Sequence, residues 1–206
     1  MRAWGAAVLT CIAAGIAAPA AAQRIELTPF VGYRVGGEIG KSGEQAALEV
    51  KESGAWGVSL GVKVSEEGEL EALFARQDTR LASAGFFTSQ PRFDLAVEIY
   101  QFAGNYLFGD DKARFRPYVS AGFGATRLVP EPPQLESETR FSASFGAGVK
   151  AYLGAHFGVR AEVRGFFTVL DSDSAALCDS FGGCVVRTSG SEMTQVEARV
   201  GVILRF

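Results

Sequence analysis

The feature that most constrains the fold of this chain is the alternation of apolar and polar residues in eight separate stretches. In the stretch from residue 159 to residue 169, most apolar residues share one face, and the other face carries Arg160, Glu162, Arg164 and Thr168, with Phe166 as the one exception. A period of two residues predicts a β-strand, because successive side chains point to opposite faces of a sheet. No long stretch has apolar residues at helical spacing. The chain is therefore predicted to be mostly β.

The spacing of these stretches predicts how the strands are connected. They begin near residues 25, 55, 69, 93, 115, 141, 159 and 193. The connections near 37–54, 79–92, 129–138 and 171–192 are long, whereas those near 65–68, 109–114 and 153–158 are short. Short turns at one end and long loops at the other are typical of an outer-membrane barrel, with short turns in the periplasm. We therefore predict an all-β fold, an eight-stranded antiparallel up-and-down transmembrane β-barrel with both termini in the periplasm.

The composition of the polar faces indicates which face points to lipid. Alternation alone also fits a soluble, lipocalin-type barrel, whose apolar face points inward. In the sixth stretch, however, the polar face consists of small residues and one long cation: Ser142, Ser144, Gly146, Gly148 and Lys150. The interior of an eight-stranded barrel has little room, and glycines there make space for long side chains. The apolar face is therefore predicted to point to lipid.

Two further patterns concern the strand ends and the fourth strand. Aromatic residues near strand ends fit the two interfacial girdles of a membrane barrel; they are Tyr33, Trp56, Phe74, Phe93, Tyr106 and Phe108. In the fourth stretch, Gln101 falls on the same face as Val97 and Ile99, which were expected to face lipid. A β-bulge or a shorter strand is expected there.

The inward faces carry charged side chains of both signs, which are expected to interact with one another in the lumen. Unpaired charges in a low-dielectric wall are costly, so these residues are expected to pair into a plug. The alternative is a narrow porin-like path, or a binding site, for a small solute in the lumen. The residues are Glu26, Arg34, Lys63, Glu71, Glu98, Lys150, Arg160, Glu162, Arg164, Glu197 and Arg199.

The beginning of the sequence is predicted to be a cleaved signal peptide, residues 1–22. It has a positive start at Arg2, an apolar run too short to span a bilayer, and Ala20 to Ala22 before Gln23. Cys11 is expected to leave with it, and residues 23–206 form one barrel domain. The formal net charge of −3 and the dispersed Lys and Arg residues argue against nucleic-acid binding.

The loops carry three candidate features. Cys178 and Cys184 lie in the last long loop and are expected to form a disulfide in an exported protein. Phe86 and Phe87 form an apolar stretch in the second long loop, and they are expected either to contact a partner or to fold back on the barrel rim. Residues 171–173, with Asp179, could bind a divalent cation, but solvated carboxylates are the commoner case, so no metal site is predicted.

Catalytic and cofactor sites are not predicted. His156, the one histidine, lies in a short turn and has no evident partner for nucleophilic catalysis. The glycine-rich segments at 122–124 and 146–150 lie inside strands, so they lack the strand-to-helix context of a phosphate-binding loop. We therefore expect a non-enzymatic protein without cofactors.

The chain resembles the small bacterial outer-membrane β-barrel proteins of the opacity-protein and OmpX-like kind. The segment 25–37, IELTPFVGYRVGG, is similar to their first strand, and the segment 116–128, RPYVSAGFGATRL, is similar to their fifth. The resemblance implies that Gly201, Leu204 and Phe206 form a signal read by the barrel-assembly machinery; the alternative is an ordinary last strand that ends on Phe.

The expected partners are therefore outer-membrane lipid and lipopolysaccharide, the assembly machinery during biogenesis, and an unknown extracellular partner of the loops. The chain is expected to be a monomer, integral to the outer membrane, that presents four loops for envelope structure, adhesion or recognition.

Overall fold

Eight long strands make up most of the chain in the computed structural model, which describes residues 24–39, 48–83, 93–131, 136–169, 175–178, 184–187 and 192–206. They are numbered here β1 to β8. Their bounds are β1 Ile25–Gly36, β2 Ser53–Lys63, β3 Gly68–Ser83, β4 Phe93–Leu107, β5 Phe115–Pro130, β6 Glu138–Tyr152, β7 Phe157–Val169 and β8 Glu192–Arg205. The described residues contain no helix long and apolar enough to cross a membrane.

Every strand pairs antiparallel with the next one along the chain, and β1 pairs with β8. In that closing pair Phe30 lies opposite Gly201, and Arg34 lies opposite Glu197. Closure leaves no strand edge unpaired among the eight. The predicted eight-stranded antiparallel up-and-down barrel is confirmed.

The two ends of the barrel differ in their connections. The short-turn end holds the connections 64–67, 108–114 and 153–156. At the opposite, long-loop end, Glu38–Ile39 pairs with Leu48–Val50, which in turn pairs with the end of β3. The last long loop contains a hairpin of Ala175–Cys178 with Cys184–Arg187. Because β3 continues to Ser83, the second long connection begins at residue 84, rather than near residue 79.

The side chains sort by face as the composition predicted. Large apolar residues cover the outside; Phe102, Phe123 and Val163, for example, are 69%, 62% and 55% exposed. Charged and polar residues fill the inside. Gly148 shows why small residues are needed there, because a Cβ at this position would lie 2.6 Å from the hydroxyl oxygen of Tyr118 and closer still to the backbone carbonyl oxygen of Ala161.

The fourth strand differs from its prediction. The pairing of β4 with β3 and β5 runs without interruption past Gln101, so the expected bulge or shortening is absent from this strand. Val97, Ile99 and Gln101 are all buried inside, and Tyr100 and Phe102 point outward. The prediction was wrong because it took an apolar face to be a lipid-facing one, whereas part of this lumen is apolar.

Candidate functional site: the lumen and the outer wall

The centre of the lumen is occupied by five charged residues, called here the lumen network: Glu71, Arg160, Glu162, Arg164 and Arg199. Alternation along β7 places its three members on the inward face, and the pairing of β7 with β8 sets Arg199 opposite Glu162. Glu71 reaches them from β3. All five are at most 5% exposed.

Glu162 is the most connected member of the lumen network. It accepts hydrogen bonds from Arg164 Nε at 2.7 Å and from Arg199 Nη2 at 2.7 Å, and Arg160 Nη2 lies 2.8 Å away. The hydroxyl of Tyr118 donates to it at 2.8 Å. Glu71 accepts from Arg164 Nη2 at 2.9 Å and also pairs with Arg160. Each of these five charged groups therefore contacts at least one group of opposite charge, and such pairing offsets the cost of burying a charge.

A second pair lies closer to the long loops. Arg34 donates to Glu197 at 2.6 Å, and its guanidinium carbon lies 5.1 Å from the ring centroid of Phe166. Phe166 was the exception on the polar face of its stretch. It belongs to a buried apolar cluster inside the barrel, made of Phe30, Leu73, Ala75, Ile99 and Phe166. Along β3 and β7 this cluster follows the charged residues toward the long loops.

A third group lies nearer the short-turn end. Lys150 Nζ is 2.7 Å from Glu26 Oε2 and 2.5 Å from Glu69 Oε2. Arg205 also reaches Glu26, at 3.2 Å. Glu69 and Arg205 were not among the predicted lumen residues, although the alternation along their strands indicates that both face inward. Glu69 has the same parity as Glu71, and Arg205 has the same parity as Arg199.

Lys63 lies at the short-turn end rather than among the central charges. It pairs with Asp111 in the turn between β4 and β5. Asp111 also pairs with Arg24 at 3.3 Å and with Arg116 at 3.0 Å. The hydrogen bond from Lys63, with the neighbouring positive charges, lowers the pKa of the Asp111 carboxyl. This carboxylate thus ties together the beginnings of β1 and β5 and the end of β2.

Glu98 lies on the outer wall, and its expected place in the lumen was wrong. It shares the outward face of β4 with Tyr100, whose hydroxyl donates to it at 3.0 Å. Arg76 on β3 lies 3.0 Å from it, and Arg127 on β5 lies 3.9 Å from it. The error has the same source as the error about Val97 and Ile99: the two faces of β4 were exchanged.

The loop features are only partly within the described residues. Cys178 lies opposite Cys184 in the hairpin register, but the structure does not show the disulfide, which stays a prediction. Phe86, Phe87, residues 171–173 and Asp179 lie outside the described residues. In the described part, no group of three or more His, Cys, Asp or Glu residues is arranged to hold a metal ion.

The remaining candidates lie at or near the short-turn end. His156 is exposed in its turn, with Nδ1 3.3 Å from the carbonyl oxygen of Arg205. Gly201 packs closely beside Pro29, and Leu204 lies opposite Leu27. Phe206 is 75% exposed, and its backbone N–H donates to Ile25. The assembly signal proposed for Gly201, Leu204 and Phe206 stays a prediction.

The closed barrel agrees with a comparison of the sequence with protein families. The model described as "Outer membrane protein beta-barrel domain" matches residues 7–206. This chain belongs to that family. It is thus an integral outer-membrane protein. A search among curated proteins finds no significant match.

Solved structures of other outer-membrane barrels share the fold at low sequence identity. The outer membrane protein OprG from Pseudomonas aeruginosa is 12% identical, with a TM-score of 0.58 over 89% of this chain and 95% of that one. Neisserial surface protein A is 11% identical, with a TM-score of 0.55 over 89% and 97%. The N-terminal barrel domain of OprF from Pseudomonas aeruginosa is 18% identical, with a TM-score of 0.51 over 89% and 97%. At these identities the likeness concerns the fold alone.

Proposed function

We propose that this protein is a non-enzymatic structural barrel that anchors four extracellular loops in the outer membrane for envelope structure, adhesion or recognition. In the proposed orientation of the barrel in the membrane, the long-loop end faces the exterior, and the short-turn end faces the periplasm. The family membership supports the location, and the asymmetry of the connections supports the orientation.

The filled lumen is the observation that carries the proposal. The lumen network holds paired side chains from β3, β7 and β8 at the centre, and the apolar cluster around Phe166 adds a second layer toward the long loops. Moving an ion past them requires breaking buried ion pairs, which is costly. An eight-stranded barrel with such an interior is suited to holding loops rather than to passing solutes.

One observation favours passage or binding of a small solute as the second candidate. Several buried polar atoms on the long-loop side have no hydrogen-bond partner among the described residues, including Arg34 Nη1, Gln195 Oε1 and Glu197 Oε1. Buried polar atoms of this kind are usually satisfied by water. A hydrated chamber at this level would be the natural place for a small polar solute.

Electrical recording separates the two candidates. The refolded barrel, whose folding is checked by its heat-dependent gel mobility, is added to planar lipid bilayers. The structural proposal expects no discrete conductance steps from the wild type. A variant that shortens side chains in both layers, Arg160→Ala with Arg199→Ala and Phe166→Ala, serves to show that an opened lumen is detectable. Reproducible steps from the wild type would overturn the structural proposal in favour of passage.

A pull-down from the surface of intact cells tests the role of the loops. The native chain is compared with a version whose four long connections are cut to tight turns. A partner retained only by the native chain would assign recognition to the loops. Equal recovery by both versions would remove recognition and leave envelope structure.

A further inference from the structure

One sector of the outer wall differs from all the rest of the described surface. On the eight strands, the outward-facing charged side chains that the structure describes lie only on β3, β4 and β5. We call this sector the lateral charged patch; its members are Arg76, Asp78, Arg80, Asp94, Glu98 and Arg127. The described side chains on the outward faces of the other five strands are apolar, apart from small polar residues. A charge facing hydrocarbon is costly, so this sector calls for an explanation.

The height of the patch on the wall provides the first part of the explanation. Arg76 lies eight residues beyond the start of β3 at Gly68. At about 3.3 Å per residue and a tilt of about 40°, this is about 20 Å above the short-turn end, near the upper edge of an apolar band about 25 Å tall. Aromatic rings mark the same level. Phe74 contacts Trp56 at 5.9 Å and Tyr100 at 5.1 Å between ring centroids, on the short-turn side of the patch.

The patch therefore begins where acyl chains give way to head groups. In the orientation proposed above, on which this inference rests, these are the head groups of the outer leaflet.

The arrangement of the arginines suits an anionic head group. Arg76 and Arg127 approach the single carboxylate of Glu98 from both sides, and their side chains are 36% and 46% exposed. The described contacts of Arg76 use Nε, toward Asp78, and Nη1, toward Glu98. No hydrogen bond of its Nη2 is among these described contacts. The carboxylates hold the guanidinium groups in place, and the N–H groups of Arg76 and Arg127 that these contacts leave over can donate to the oxygens of a phosphate.

An apolar groove continues from the patch toward the short-turn end. It is lined on the outer face by side chains that include Ala72, Phe74, Tyr100, Phe102 and Ala125. Its lining thus combines the small side chains of Ala72 and Ala125 with aromatic rings. A groove of this kind fits an acyl chain, and its position beneath the arginines fits a lipid with phosphate on its head group.

We propose that the lateral charged patch and the groove together bind a phosphorylated glycolipid of the outer leaflet, of the lipid A type. Arg76 and Arg127 bind its phosphate, and the groove around Ala72 holds an acyl chain. The site would fix a lipid on one side of the barrel and orient the loops above it.

Native mass spectrometry of the purified barrel in detergent micelles tests this proposal. The probes are bisphosphorylated lipid A, its monophosphorylated form and phosphatidylglycerol, with a chelator present to remove divalent cations. Two variants change the site independently: Arg76→Gln with Arg127→Gln removes the phosphate contacts, and Ala72→Phe fills the groove. Arg24→Gln is the matched control, because Arg24 is an exposed, ion-paired arginine at the opposite end. Heat-dependent gel mobility verifies that each variant is folded.

We expect the wild type to prefer bisphosphorylated lipid A, the double arginine variant to bind it at least about tenfold more weakly, and the Ala72→Phe variant to bind it less well. The Arg24→Gln variant should match the wild type. Equal binding by the wild type and both site variants would overturn the proposal. Equal binding of lipid A and phosphatidylglycerol by the wild type would overturn the assignment to a glycolipid. Micelles have no sidedness and the assay measures no conductance, so this test can fail while the proposed function stands, and the reverse.

Discussion

At the scale of single residues, Glu162 is the position on which the interior depends most. It contacts three arginines and one tyrosine, all buried. Removing one partner from a buried ion network leaves the other charges uncompensated.

We predict that Glu162→Gln lowers the free energy of unfolding by about 3 to 5 kcal/mol. The measurement is the urea midpoint of the refolded barrel in lipid or detergent. Glu67→Gln is the control, because Glu67 is exposed in a short turn and accepts one hydrogen bond from Tyr106. It should change stability by about 0.5 kcal/mol or less. Similar small effects for both variants would indicate that water, rather than Glu162, compensates the arginines.

Gly148 illustrates the second requirement of a narrow interior, which is space. We predict that Gly148→Ala destabilises the barrel by about 1 to 3 kcal/mol, because the added methyl group would crowd the backbone carbonyl oxygen of Ala161 on β7 and the hydroxyl of Tyr118, which is 2.6 Å from the Cβ position. Gly104→Ala is the matched control, since no atom lies within 4 Å of its Cβ position. The two urea midpoints are compared directly. A Gly148→Ala barrel as stable as the control would mean that the Tyr118 side chain and the β7 backbone at Ala161 both shift at little cost.

At the scale of elements, one carboxylate joins three separate parts of the short-turn end. Asp111 in the turn between β4 and β5 pairs with Lys63, Arg24 and Arg116. These contacts belong to three different strands or their flanking residues. The carboxylate in this turn thus links different strands at the short-turn end of the barrel. We call this set of three ion pairs the clasp.

We predict that this clasp makes stability depend on pH in the acid range. Lys63 and its neighbours lower the pKa of Asp111 in the folded barrel below its ordinary value of 3.8. The stabilisation is then fully present above that ordinary value and is lost as pH falls toward the lowered pKa. Asp111→Asn should be less stable than the wild type at pH 7, and the difference should shrink as the pH falls below that ordinary value and vanish below the lowered pKa. A difference that is constant from pH 7 to pH 3, in urea titrations, would contradict the clasp.

The elements also show how far the sequence predicts this fold. Six stretches pair a face of small and charged residues with an apolar face, and for these the composition identifies the lumen. The third stretch follows this rule only over its first half, because Arg76 and Asp78 lie on its outward face. The fourth stretch offers no such contrast, because Val97 and Ile99 on one face compete with Tyr100 and Phe102 on the other. Only its partners decide between them. Leu73 and Phe166 create an apolar region inside the barrel, so Ile99 turns inward and Glu98 turns outward.

The same limit applies to the functional residues. Glu162 and the three arginines that contact it were predicted to face the lumen, because the alternation within each strand is enough to place them there. The lateral charged patch arises only when β3, β4 and β5 lie side by side, bringing Arg76, Glu98 and Arg127 into one row of the sheet. Contacts between strands far apart in sequence cannot be derived from the period of any one of them.

At the scale of the whole molecule, the proposed function depends on which end of the barrel faces the exterior. The hairpin with Cys178 and Cys184 belongs to the long-loop end, and the turn with Ala155 belongs to the short-turn end. These positions lie on opposite sides of the membrane in an up-and-down barrel. Cysteine labelling can therefore determine the orientation directly.

We predict that a membrane-impermeant maleimide labels Cys178 and Cys184 on intact cells after mild reduction, and labels them poorly before it, since a disulfide between them is expected. The matched variant carries Cys178→Ser, Cys184→Ser and Ala155→Cys, and it should be labelled only after the outer membrane is permeabilised. Labelling of the wild type before reduction would contradict the predicted disulfide but would still support the proposed orientation. Labelling of Ala155→Cys on intact cells would place the short turns outside, and the long loops would then face the periplasm, where they could not serve adhesion or recognition.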